Sequence, residues 1–144
     1  DHAGQVSKRY IGASGALFLE SEHICPLWCA ASAFERPGET LVQSIALADP
    51  GTGPSHWLSV ARAGSDNPFA RFCVVLGLDA ALAGDLAIAP GTALGRDAAL
   101  AIGPGCRLCH VSDCPQRSLP PIGARLTFDR VQRAATPFSF GEAR

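Results

Sequence analysis

The sequence predicts an α+β domain: an antiparallel sheet with short helices on its flanks. Three observations carry this. Residues 39–48, 55–63 and 69–78 are β-branched or aromatic segments joined by short Gly/Pro turns, the pattern of an antiparallel meander. Two Ala-rich segments, 26–35 and 79–88, bracket that run. The 144 residues are 47% hydrophobic and 17% charged. A chain of that size hides roughly 68–70% of its unfolded surface, so it can build one core without staples.

Residues 1–10, DHAGQVSKRY, are polar and read as a linker or the tail of a preceding helix. GASGALFLE adds a short apolar patch. Cys25-Pro26 opens the first helix, over 26–35. Pro suits a first helical position, Leu27, Ala31 and Phe34 recur at helical spacing, and Pro37-Gly38 stops the run. ETLVQSIALA is the first strand and DPGTGP the turn after it. In SHWLSVARA, period two puts Leu58 and Val60 on one face and Trp57 and Ser59 on the other. GSDNP turns the chain into FARFCVVLGL, the third strand. DAALAGDLAI reads as a short helix or turn, while 90–103 is weakly patterned. ARLTFDRV (124–131) is a further strand and ATPFSF a closing one. A central sheet with helices beside it and a ligand pocket on one side is a sensor-domain arrangement, GAF- or PAS-like. No repeat divides the chain, so residues 1–144 read as one ligand-sensing and metal-binding domain.

The cysteines hold the chemistry. No signal peptide opens the chain, so its six thiols are expected to stay reduced. Cys29 on the Ala-rich helix and Cys73 in an apolar strand read as small buried hydrophobes. Cys106, Cys109 and Cys114 differ: they lie in a polar Gly/Pro loop, GCRLCHVSDCPQRSLPP, where a hydrophobe gains little. C-x2-C brings two sulfurs onto one centre through a tight turn, and the step to Cys114 lets the loop wrap back. Three thiolates so close repel one another unless a cation holds them. A fourth ligand is then needed. His110 would have to fold back sharply, whereas Cys25, before Pro26, can point its side chain outwards. A zinc ribbon shows two C-x2-C knuckles; one knuckle, a third cysteine and a distant fourth favour a [4Fe-4S] cluster over Zn2+ at Cys25, Cys106, Cys109 and Cys114. A structural zinc module for dimerisation and a redox protein stay open as alternatives.

CPLW at 25–28, RPGE at 36–39 and IGPGCRLC…DCPQRSLPP at 102–121 resemble the C-terminal domain of the short-chain fatty acyl coenzyme A regulators. GQVSKRY and TPFSF are similar to that family's domain edges. The resemblance spans nearly all of residues 1–140 and carries the motif over to Cys25, Cys106, Cys109 and Cys114. The family often has a cysteine in a G-C-D pattern, where this chain has Gly77-Leu78-Asp79. The resemblance implies a cytoplasmic bacterial transcription factor with an N-terminal helix-turn-helix, a middle peptidase-like domain and this domain as sensor of short-chain acyl-CoA. DNA would be met only through the N-terminal domain, which this chain lacks, and a homodimer would fit. The absence of methionine agrees with a piece of a longer regulator.

An acyl-CoA offers phosphates, which Arg clamps bidentately. Arg107 and Arg117 flank the cysteines and are the first candidates; Lys8 and Arg9 are a second pair. Trp57 could line an acyl or adenine pocket, although rings such as Trp28 and Trp57 more often pack in a core. The segment 107–133 carries +3 against −4 elsewhere, within a net charge of −1. This suits a local anion site and not a nucleic-acid face. GASG is no nucleophile elbow, GTALGRD lacks the Lys-Ser/Thr of a phosphate loop, and the four histidines show no H-x3-H pairing, so no enzyme is indicated. No apolar run nears the roughly 20 residues of a membrane span.

Overall fold

The computed structural model describes residues 1–10, 12, 23–48, 53–64, 67, 69–86, 96–111, 113–128, 131 and 139–141. The expected apolar patch (residues 13–20), residues 90–95, the charges of Asp129, Arg130 and Arg133, and most of ATPFSF fall outside them.

The meander is present. Strand β1 (Thr40–Leu47) pairs antiparallel with β2 (Ser55–Ala63) from Thr40 opposite Arg62 to Leu47 opposite Ser55. Strand β2 pairs antiparallel with β3 (Cys73–Asp79), Ala63 opposite Cys73 and Trp57 opposite Asp79. β3 starts later than the apolar run suggested; Phe69 and Phe72 are exposed, and a Gly64 N–H to Phe72 C=O bond (3.1 Å) lies just before the paired residues.

The sheet is not purely antiparallel, which corrects the expectation. A three-residue strand, β4 (Leu100–Ile102), lies parallel to β1 on its other side, giving the order β3-β2-β1-β4. Three residues in a Gly- and Ala-rich stretch cannot display a period, so nothing in 90–103 announced it. A small second sheet pairs β5 (Arg125–Thr127) with β6 (Ser139–Gly141), Leu126 opposite Phe140.

The helices are shorter than predicted. α1 covers only Cys29–Ser32. Around it Trp28, Ala31, Phe34, Glu35 and Arg36 donate to carbonyls three residues back, so the segment is a chain of tight turns and not a regular helix. Trp28 at its start supplies no side-chain cap. Gln43 of β1 does that work: its Oε1 accepts from Cys29 N–H (2.7 Å) and its Nε2 donates to Leu27 C=O (3.0 Å). α2 (Ala80–Ala83) is capped by Asp79, whose carboxylate accepts from Ala81 N–H at 2.9 Å.

The core lies between α1 and one sheet face. Ile45, Ala61, Ala63 and Ile102 meet Cys25, Trp28, Cys29, Ala30 and Ala33 there. Small residues on both sides allow close approach. Trp28 Nε1 donates to the buried Ser59 hydroxyl at 2.7 Å, which ties the turn segment to β2 through a satisfied polar pair. The alternation read from SHWLSVARA holds: Leu58 is fully buried on the opposite face, where α2 packs against β2. Full burial of a side chain such as Leu58, Ile45 or Ile102 stabilises by roughly 1.5–3 kcal/mol. The parallel pairing of β1 with β4 has a further effect. It ends with Leu47 opposite Ile102, so residue 103 and the cysteine loop leave the sheet beside the core.

Candidate functional site

The loop after β4 is built from nested turns. Gly105, at φ 107°, adopts a backbone conformation that side chains disfavour, immediately before Cys106. Leu108 N–H then donates to Gly105 C=O (3.0 Å) and Cys109 N–H to Cys106 C=O (3.4 Å), the tight turn expected of C-x2-C. A second turn follows, from Arg117 N–H to Cys114 C=O (3.4 Å). The Ile122 N–H bond to Arg107 C=O (2.8 Å) brings the outgoing chain back onto the knuckle.

Cys25, Cys106, Cys109 and Cys114 line one small cavity of about 10 Å³, together with Gly103, Gly105 and Arg117. Cys29 and Cys73 are not part of it. Cys25 and Cys109 are buried, Cys106 and Cys114 half-buried. Cys25 was expected to point outwards; it is buried instead, because the turn after it packs on the core and carries the thiol inward. His110 is exposed. Among the described residues, no three His, Cys, Asp or Glu side chains converge closely enough to hold a single metal ion.

Gly103 makes this packing feasible. A Cβ on it would lie 2.3 Å from Cys109 Sγ and 2.5 Å from Cys109 Cβ. The position therefore excludes any side chain, and Cys109 fills the space. The environment also tunes the thiols. Burial pushes the Cys25 thiol up, and the charges of Cys114 and Cys109 push the same way; the backbone groups of Gly103 and Leu27 oppose them. Burial likewise raises Cys106, but the Ser118 hydroxyl, the Ser118 and Leu119 backbone and the Arg117 charge outweigh it, so the net shift is downward. Ser118 Oγ lies 3.4 Å from Cys106 Sγ.

The two arginines of the loop have different fates. Arg107 is exposed. Arg117, expected as a phosphate contact, is buried, and its terminal nitrogens donate to the carbonyls of Cys106 (3.3 Å), Leu119 (3.2 Å), Cys109 (3.2 Å) and Val111. It also reaches Cys109 Sγ at 3.8 Å and stacks on Phe140 of β6, 4.4 Å from the ring centroid. Lys8 and Arg9 are exposed in the N-terminal stretch. Trp57 is half-buried against the core, its Nε1 bonded to Ser55 Oγ at 3.0 Å. None of Lys8, Arg9, Arg107 and Trp57 lines the cysteine cavity.

One feature escaped the sequence. An open groove of about 360 Å³ is lined by His2, Ile24, Pro26, Phe34, Glu35 and Arg71, among others. Arg71 sits over the Phe34 ring at 5.7 Å and donates to Phe34 C=O at 3.2 Å. Its residues come from three distant segments, so no local motif could signal it.

Comparison with known proteins places this geometry in context. The family described as the C-terminal domain of the short-chain fatty acyl coenzyme A regulators matches residues 1–138. The HTH-type transcriptional regulator RamB of Mycobacterium tuberculosis is 35% identical over 96% of this chain and 30% of its own length. The HTH-type transcriptional regulator PrpR of the same organism is 33% identical over 99% of the chain and 30% of its length. A propionyl-CoA carboxylase regulator of Cereibacter sphaeroides is 34% identical over 96% of the chain and 30% of its length. A solved Mycobacterium tuberculosis transcriptional regulator superposes with a TM-score of 0.82 at 29% identity, over 96% of this chain and 43% of that one. The chain thus spans 30% of the length of these curated relatives. No helix among the described residues is long and apolar enough to cross a membrane.

Proposed function

Because the chain belongs to the short-chain fatty acyl coenzyme A regulator family, as its C-terminal domain, we propose that it is the effector-responding domain of a cytoplasmic transcriptional regulator and carries a four-thiolate metal centre. The carrying observation is the cavity shared by Cys25, Cys106, Cys109 and Cys114 and by none of the other cysteines. The residues present fit an anionic metal–thiolate group in three ways. Four soft sulfur donors line one cavity. The bare backbone of Gly103 leaves room for Cys109 to reach it. The buried Nε of Arg117 has no partner among the described residues, and Arg117 lines the same cavity, so an acceptor there would complete it.

The order of the cysteines along the chain favours a cluster over a single ion: one C-x2-C knuckle, a third cysteine five residues on and a distant fourth are unlike the paired knuckles of a zinc ribbon. Such a group would supply a redox-sensitive cross-link between the turn before α1, through Cys25, and the loop after β4.

For the effector we propose a short-chain acyl-CoA, with Arg107 as the exposed cation beside the site. Lys8, Arg9 and Trp57 lie elsewhere, so any part they play would be at a separate contact. A regulator of this kind meets DNA through another domain. Exposed Val74 and Leu76 on the edge strand β3 offer a surface for a homodimer. Two measurements on anaerobically purified protein test the proposal. A visible absorption spectrum with iron, sulfide and zinc counts separates a cluster from zinc and from no metal. Calorimetry with propionyl-CoA then tests the effector; absence of heat with metal-loaded protein would remove the acyl-CoA part and leave the metal part standing.

A further inference from the structure

The cysteine loop contains a buried cation that the thiols alone do not explain. Arg117 is 6% exposed and engages four carbonyls spread over residues 106–119, those of Cys106, Cys109, Val111 and Leu119. Two of these carbonyls belong to the first turn, Val111 follows that turn, and Leu119 follows the second. A planar guanidinium can serve them together because its donors diverge in a fixed fork; an ammonium on a flexible stem cannot. The same group approaches Cys109 Sγ at 3.8 Å and covers the Phe140 ring. Its Nε remains without a partner among the described residues.

We infer that Arg117 is the positioning residue of the cysteine site: it holds the loop in its receptive shape before any metal arrives, donates to the Cys109 sulfur, and fastens the loop to β6 through Phe140. The second of these functions rests on the metal-centre reading; the first and third do not. Buried polar groups demand partners, and four carbonyls facing one cation leave the loop little freedom to open while that cation is in place. An N–H that the fork holds against a ligating sulfur also disperses negative charge on the centre, which raises its reduction potential.

The metal-free chain provides the first test. Thiol labelling read by mass spectrometry is compared for wild type, Arg117→Lys and Phe140→Leu. Arg117→Lys keeps the charge and loses the fork, so Cys109 should label roughly tenfold faster or more. Phe140→Leu keeps every donor and removes only the ring beneath the guanidinium, so Cys109 should accelerate to a smaller degree. Cys29 is the internal control: it is buried in the other part of the core and should stay protected in both variants if the effect is local. Unchanged Cys109 labelling in Arg117→Lys overturns the inference, and so does equal acceleration of Cys29 and Cys109, which would mean general unfolding. Iron–sulfide reconstitution adds a readout that packing alone would not move: the midpoint potential of Arg117→Lys should fall below that of wild type. An unchanged potential removes the sulfur-donation claim. A wild type that takes up no cluster counts against the metal-centre reading alone, and the labelling comparison then decides the role of Arg117.

Discussion

Replacing Gly103 with alanine adds one methyl group, and the structure sets its cost. The φ of Gly103 lies outside the left-handed region, so the backbone there can accept alanine. By itself the change would restrict the unfolded chain and stabilise by about 0.4–1 kcal/mol. The new methyl, however, would stand 2.3 Å from Cys109 Sγ and 2.5 Å from Cys109 Cβ. Rotating the thiol relieves the first contact. It cannot relieve the second, because Cβ does not move with χ1, and the backbone of Cys109 must therefore shift. Overpacking of this kind typically costs about 1–3 kcal/mol. Gly103→Ala should thus lower the free energy of urea unfolding by that amount and reduce metal content, since the shift carries Cys109 off the cavity. Gly84→Ala is the matched control. Gly84 caps α2 in helical geometry with nothing near its would-be Cβ, so it should be neutral or mildly stabilising. A Gly103→Ala protein that unfolds like wild type and keeps its metal would refute the reasoning.

Other perturbations address other parts. Gln43→Leu removes both bonds that hold the start of α1 to β1, and chemical denaturation should show a loss of about 1–3 kcal/mol. Arg107→Ala should weaken propionyl-CoA binding by roughly ten- to a hundredfold in calorimetry, with metal content unchanged. Burial pushes the Cys29 thiol up, against the pull of the Ser59 hydroxyl, so in the folded protein it ionises at higher pH than a free cysteine. Iodoacetamide at mildly alkaline pH should therefore modify Cys29 far more slowly than in urea-unfolded protein; equal rates would contradict its placement.

Legibility tracked period and locality. β1 and β2 lie where 39–48 and 55–63 were read, because eight or nine strand-prone residues bounded by Gly/Pro turns leave little ambiguity. β4 was missed because its identity depends on pairing with β1, 55 residues away at Ile45 opposite Leu100. The helix over 26–35 reduces to four residues, since its packing comes from the sheet beneath and its cap from Gln43, neither visible locally. The grouping of Cys106, Cys109 and Cys114 was readable because thiols in one polar loop have few other uses, whereas Cys25 was added for an outward aim that it does not have. The inward aim of Cys25 was not readable, and neither was the burial of Arg117. A Cys-Pro pair and an Arg both look exposed until the core that receives them is known.

The central claim is that four particular cysteines share one metal centre. Native mass spectrometry of anaerobically purified chain tests it most directly, because the added mass identifies the group and the missing protons count the thiolates that bind it. One metal or cluster per chain is expected in wild type, Cys29→Ser and Cys73→Ser, and none in Cys25→Ser or Cys109→Ser. A bare mass with six protonated thiols, or a loaded species that survives Cys25→Ser and vanishes in Cys73→Ser, would contradict it.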